Sequence, residues 1–436
     1  MNAVDPSTRT MKVTLGLFDA TAISIGAIVG AGIFVVIGIA AGLAGPAMIL
    51  SIVIAAGVSL VTALSFAELA SWLPKEGGVY EFAHELLSPY LGFITGWMWM
   101  LSNTFTGAAV SLGFAYYFTA VIPVIPAHWL AAVICLVFTY INFIGVRRSA
   151  TLNNYLVVAK LSILAFFIIF GLSHFRSGNL SPFVSSATGV LYATVFIFFA
   201  FGGFARVAVV AEEIKDPRRN VPRAILLSLL ISTIFYVLVA VVALGLVGSS
   251  GLSSSKSPLA HAIDATGATW ATYVVSLGGL LATASVLLTS VLGVSRVAYS
   301  MARHGELPRA LSAVDGSHGT PYYSIWVAGG LMAALVLLID LEKVVVVSTF
   351  SLLFYYGVAN AAALRLRPES RLYHPAVPIV GIIATLALLV FILFVSPQGW
   401  ILGVVGLATG SAIYFVRKNR RIIRTGSPPT RVEGMP

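Results

Sequence analysis

Apolar runs of about 20 residues recur from Leu15 to Phe415, and many are long enough for an α-helix to cross the hydrocarbon of a bilayer. The runs are apolar throughout instead of alternating every second residue, which excludes a transmembrane β-barrel. Only 10% of the residues are charged and 58% are hydrophobic, whereas a soluble domain carries about 25% charged residues. The fold class implied is an all-α membrane protein. Cys135 is the lone cysteine and lies inside an apolar run, so an intramolecular disulfide and a thiolate metal cluster are both excluded. The segment Met1 to Met11 is polar and has no signal-peptide cleavage pattern, so the first apolar run is expected to be retained.

Hydropathy predicts twelve transmembrane helices, at 15–41, 47–73, 90–121, 127–145, 152–174, 188–212, 222–247, 269–302, 321–340, 343–364, 376–395 and 398–416. With the N-terminus in the cytoplasm, nearly all basic residues fall inside: Arg9, Lys12, Lys75, Arg147 and Arg148, then Lys215, Arg218, Arg219 and Arg223. Arg303, Arg309, Arg365, Arg367 and Arg371 follow, as does the tail from Arg417 to Arg424, leaving Arg176, Lys256 and Lys343 outside. That asymmetry is the positive-inside pattern of a multi-pass protein of the cytoplasmic membrane with both termini in the cytoplasm. The net charge of +10 therefore reads as topology and lipid-headgroup contact, not as nucleic-acid binding. Residues 1–424 form one transmembrane domain, and 425–436, rich in Pro, Gly, Ser and Thr, are expected to be a disordered cytoplasmic tail. Glu76 to Leu87 reads as a short interfacial helix, and Gly248 to Pro258 as an outer loop before a short helix at Leu259 to Ala265.

Span 1 is interrupted by Gly26-Ala27-Ile28-Val29-Gly30-Ala31-Gly32-Ile33-Phe34, and span 6 by Phe201-Gly202-Gly203-Phe204. The starts lie five spans apart, so these two helices run in opposite directions. Paired glycine-interrupted spans in corresponding halves point to an inverted repeat with a site at the membrane midplane. Such glycines also serve as small-residue helix-packing faces, and that reading stands beside the first. Unwinding exposes amides at a half-helix N-terminus and carbonyls at the opposite end. An amino-acid carboxylate then suits the amides around Ala31, Gly32 and Ile33, and its ammonium suits carbonyls around Ala200 to Gly202. The substrate-binding set expected is Ile28, Gly30, Ala31, Gly32, Ile33, Asn103, Phe199, Ala200, Phe201, Gly202 and Phe204.

At these residues the chain resembles the amino acid–polyamine–organocation superfamily. Four stretches carry the likeness: Gly26 to Phe34, Phe198 to Phe204, Ala211-Glu212-Glu213-Ile214-Lys215-Asp216-Pro217 onward to Ala224, and Arg296 to Pro308. The resemblance implies a five-plus-five inverted repeat (about 15–174 and 188–364) with two extra C-terminal helices (376–416). It implies amino-acid import or exchange by alternating access, closest to broad-specificity proton-coupled and cationic-type transporters. It also implies that Lys160 in span 5 fills the space that a sodium ion takes in related folds, making transport proton-coupled and sodium-independent. Gly26, Thr283 and Ser285 complete that coupling set. Snorkelling of Lys160 to the cytoplasmic interface is the competing reading.

The chain departs from many relatives just after the span-6 break, with Ala205 and Arg206 where they carry an acidic residue. A structural pairing of Arg206 with Glu212 or Glu213 is the favoured expectation, ahead of snorkelling or lining the path. Glu68 reads as an interfacial carboxylate ahead of a proton relay. Thr104 and Thr106 suit interhelical hydrogen bonds, and Phe201 and Phe204 either shutter the pocket or pack the core. No residue pattern of an enzyme active site or of a channel filter is present; a non-transporting sensor on the same fold remains an alternative. No cofactor, metal or obligatory protein partner is expected. The absence of an acidic residue aimed into the pocket-facing spans favours small neutral amino acids over cationic ones, and amino acids over polyamines.

Overall fold

No water reaches a backbone inside hydrocarbon, so each peptide group must be paired within its own segment, and helices are the outcome for a chain this apolar. The computed structural model describes residues 15–74, 78–123, 125–144, 149–184, 186–315 and 320–425. It is helical throughout, and the only β pairing among the described residues is an isolated parallel bridge between Leu15 and Ile214. The helices, in order, are α1 (Leu17–Ile28), α2 (Ile37–Ala44), α3 (Met48–Trp72), α4 (Val79–Leu86), α5 (Pro89–Val121) and α6 (Ala127–Phe143). They continue with α7 (Ser149–Leu172), α8 (Ala187–Phe201), α9 (Arg206–Val209), α10 (Pro217–Ser254) and α11 (Pro258–Asp264). The last five are α12 (Thr269–Arg303), α13 (Tyr322–Leu338), α14 (Leu341–Ala363), α15 (Ala376–Val395) and α16 (Pro397–Thr425).

By length and apolarity, 8 helical stretches among the described residues are fit to cross a membrane, the first being Leu17–Trp72, which runs through α1 to α3. α6 and α13 are apolar but shorter, and the 33 residues of α5 include Ser102, Asn103, Thr104, Thr106 and Ser111. Large apolar side chains face outward, among them Leu230, Ile234, Ile383 and Val390. Ser51, Thr62, Asn103, Lys160 and Asn360 are buried inside. This polarity suits a lipid surround, where the interior is the place to satisfy polar groups. Serines open two of the spans: Ser88 Oγ accepts from Leu91 N (3.2 Å) at α5, and Ser186 Oγ accepts from Gly189 N (3.0 Å) at α8.

Three expectations change or fall outside the description. The segment Gly248 to Pro258 is not a loop: α10 runs on to Ser254 across a kink at Gly248, whose φ of +70° breaks the helix direction. The basic end of span 12 continues as helix to Thr425, while 426–436 and Met1 to Met11 lie outside the described residues. Glu68, near the end of α3, is buried, and its Oε1 accepts from Leu372 N (2.6 Å) and Tyr373 N (3.1 Å), fixing the connection between α14 and α15.

Candidate functional site

The span-1 break begins where α1 ends at Ile28. Val29 is extended (φ −77°, ψ 95°), and the chain restarts as a π-helix at Gly32–Val36 that leads into α2. An interruption of this kind leaves carbonyls on one side and first-turn amides on the other without helical partners. Side chains take up the carbonyls. Lys160 Nζ, on α7, donates to Gly26 O (2.9 Å) and Val29 O (2.8 Å), and Tyr236 on α10 donates from its hydroxyl to Ile28 O (2.9 Å).

The span-6 break follows Phe201. Gly202 is extended (φ −60°, ψ 132°) and Gly203 has φ +127°, a conformation that disfavours any residue with a Cβ. A Cβ at Gly203 would also lie 2.8 Å from the carbonyl of Ala27, so this glycine lets the two breaks touch. They meet again where Gly32 packs directly on Cα and Cβ of Ala200. Tyr236 spans both breaks: its hydroxyl is also 3.0 Å from Ala200 O. Ser24 Oγ adds a bond to Phe204 O (3.3 Å), and Leu15 pairs with the segment after α9 through Leu15 N to Glu213 O (3.0 Å).

Lys160 is fully buried. Its third hydrogen bond reaches Ser285 Oγ on α12 (3.1 Å), so all three ammonium donors are used and snorkelling to the interface is excluded. Thr283 does not join this group. Its hydroxyl turns back to Gly279 O (2.6 Å) on its own helix, the usual refuge of a threonine in an apolar helix.

Arg206 is placed otherwise than expected. Its guanidinium does not turn toward Glu213 but donates to Asn103 Oδ1 on α5 (2.8 Å), Ser290 Oγ on α12 (3.2 Å) and Thr289 Oγ1. The physical reason is proximity: α9 follows the break at once, so its first residue faces the bundle interior, where these polar groups stand. Thr289 Oγ1 in turn bonds Ser285 O (3.2 Å), so the Lys160 and Arg206 anchors lie one helical turn apart on α12.

Between the breaks lies a cavity with a free volume of about 30 Å³, room for about two waters. Of the expected binding residues, Ile28, Gly30, Ala31, Gly32, Asn103, Phe199 and Gly202 line it. Ile33, Ala200, Phe201 and Phe204 do not. Phe201 packs on Tyr236 (centroids 5.2 Å apart), and Phe204 packs on Tyr356 (5.0 Å) and Phe66 (5.8 Å), so both are core rings and not shutters. The rest of the lining includes Trp99, Ser102, Val286, Ser348, Leu352 and Tyr355, which sequence reasoning missed, and Thr106, whose interhelical bond it expected. Thr106 and Ser348 are joined there through their hydroxyls (2.9 Å). Tyr236 was also missed; its signal is a lone phenol within the apolar run of span 7, because a buried tyrosine hydroxyl needs a partner.

Comparison with known proteins agrees with this architecture. The family model described as "Amino acid permease" matches residues 15–419. The branched-chain amino acid permease BcaP of Bacillus subtilis is 33% identical, over 95% of this chain and 95% of its own length. The methylthioribose transporter of the same organism is 30% identical, over 94% of each chain. Cationic amino acid transporter 4 of Mus musculus is 32% identical over 81% of this chain and 59% of its own. These relatives are transport proteins, not enzymes. With helices fit to cross a membrane and a family match over nearly its whole length, the chain belongs to the amino acid permease family of the amino acid–polyamine–organocation superfamily.

Proposed function

We propose that the protein is a secondary active transporter that moves amino acids across the cytoplasmic membrane by alternating access, coupled to protons and independent of sodium. The observation that carries this reading is the Lys160 ammonium, bonded to Gly26 O, Val29 O and Ser285 Oγ beside the span-1 break. A fixed cation there repels Na⁺ and substitutes for its charge. Losing a proton would remove the charge and one of the three donors, loosening the bridge between α7, the break and α12 and so letting the bundle rock.

A twelve-span, five-plus-five inverted repeat is the architecture we infer, with repeats at about 15–174 and 188–364 and two further helices at 376–416. Helix contacts support it: α1 packs on α9, α3 on α10, α5 on α12 and α6 on α13, each pairing a first-half helix with its counterpart five spans on. In this reading the substrate carboxylate sits on amides of Gly30 to Gly32 and the ammonium beside Phe199 and Gly202. The basic residues keep both termini in the cytoplasm and meet lipid headgroups.

The test is uptake of labelled alanine, with the unlabelled amino acids as competitors, into liposomes holding the purified protein. Saturable, stereoselective uptake that rises with an inward proton gradient supports the reading. Ohmic current without saturation, or no flux of any amino acid, overturns it.

A further inference from the structure

Among the described residues Arg206 has no counter-ion. Its three hydrogen bonds end on an amide oxygen and two hydroxyls, and no Asp or Glu is found among the described residues that line the cavity it borders. A guanidinium carries five N–H donors, so two remain for a ligand. Intramembrane charge is costly and ordinarily paired, yet here α5 and α12 supply uncharged acceptors that aim the group and do not neutralise it. The second cation, Lys160, stands one turn away along α12, tied through Ser285. The pocket region thus holds two positive groups and no negative one among its described residues.

We propose that Arg206 is a specificity-determining residue that binds a second anionic group on the substrate, so that the favoured class is acidic amino acids. This rests on the amino-acid reading above and names its substrate class. One carboxylate of the substrate occupies the amides at the span-1 break. The other accepts a charge-assisted hydrogen bond from one of the two donors of the Arg206 guanidinium that its protein partners leave unused, on Nε and Nη1. A lysine or arginine substrate brings a third positive charge into the same space and is rejected. A neutral amino acid leaves Arg206 unpaired and binds more weakly. An anion at Arg206 also relieves the repulsion between the two cations, so the substrate and a charged Lys160 favour one another. The printed names of relatives do not point this way; the geometry of Arg206 does.

The experiment is competition binding to the wild-type protein in liposomes, with L-glutamate, L-aspartate, L-alanine, L-lysine and succinate as probes. It is repeated on Arg206→Gln and Arg206→Lys. In the wild type, L-glutamate or L-aspartate should bind at least about tenfold more tightly than L-alanine, with no binding of L-lysine. Arg206→Gln should lower the glutamate-to-alanine affinity ratio by about 30-fold or more, the usual cost of removing one partner of a buried charge pair. Arg206→Lys, which keeps the charge but not the spread of five donors, should retain part of the ratio. Alanine or lysine preferred by the wild type overturns this proposal while leaving amino-acid transport standing. An equal loss of glutamate and alanine affinity in a folded Arg206→Gln protein also overturns it, since that would mark a purely structural arginine. Succinate bound with no amino acid bound at all would sustain anion recognition by Arg206 and overturn the amino-acid reading instead.

Discussion

Replacing Lys160 by methionine separates coupling from folding, because the energetic terms for stability nearly cancel. Methionine keeps most of the side-chain length and removes the ammonium. Ser285 Oγ retains its own bond to Ala282 O (2.9 Å), so the groups left without this donor are the carbonyls of Gly26 and Val29. Orphaned buried acceptors cost about 1–3 kcal/mol each, or about 2–6 kcal/mol for the pair. Against this, the variant no longer desolvates an ammonium, which costs several kcal/mol in a protein interior. The terms oppose each other and are of similar size, so the melting temperature should move by only a few degrees. Alanine would add a cavity worth about 2–5 kcal/mol and confuse the result. Function should behave differently. Each pH unit stores about 1.36 kcal/mol, so one-proton coupling lets the wild type accumulate substrate about tenfold per unit of inward gradient in liposomes clamped at zero potential. Lys160→Met should equilibrate substrate without accumulating it, whatever the gradient. A Lys160→Met protein that accumulates like the wild type refutes the coupling role. One that cannot be folded refutes the cancellation.

Three further outcomes follow from the same geometry. Gly30→Ala puts a Cβ 2.8 Å from Val286 Cγ2, so it should destabilise the protein by about 1–3 kcal/mol and weaken alanine binding, with Val286→Ala restoring stability. No rescue in the double variant would mean the strain lies elsewhere. Tyr236→Phe removes the one hydroxyl shared by Ile28 O and Ala200 O and should lower stability by about 1–3 kcal/mol and slow uptake; a variant unchanged in melting temperature and rate would show that the breaks need no tie. Initial uptake should be equal in sodium-free and sodium-containing buffer at fixed pH, and strict sodium dependence would sink the fixed-cation reading of Lys160.

The breaks and the buried lysine were legible in the sequence because each violates what an apolar helix requires. Glycine pairs at Gly30-Ala31-Gly32 and Gly202-Gly203 remove side chains where packing wants them, and an ammonium mid-span demands a partner wherever it folds. The faces of helices were not legible. α8 is apolar on every side, so nothing in its period tells Phe199, which lines the cavity, from Phe201, which packs on Tyr236. The packing of Gly32 was not legible for a related reason: its neighbour is the backbone of Ala200, 168 positions along the chain. A branched side chain there would damage folding as well as binding, so Gly30, whose neighbour is a movable valine side chain, is the cleaner probe.

Arg206 shows where local reasoning must fail. Charge economy predicted a carboxylate partner, and nearby Glu212 and Glu213 were the natural choice by distance along the chain. Distance along the chain loses its meaning at a helix break, because the chain direction after Gly203 is set by contact with Ala27 and not by the helix before it. The guanidinium therefore enters the bundle and finds Asn103, Thr289 and Ser290, residues 83 to 103 positions away. Those acceptors are uncharged, so they satisfy hydrogen bonds without neutralising the charge. An arginine held in that condition by two other helices has donors left for an anion from outside the chain, which is the basis of the acidic-substrate proposal.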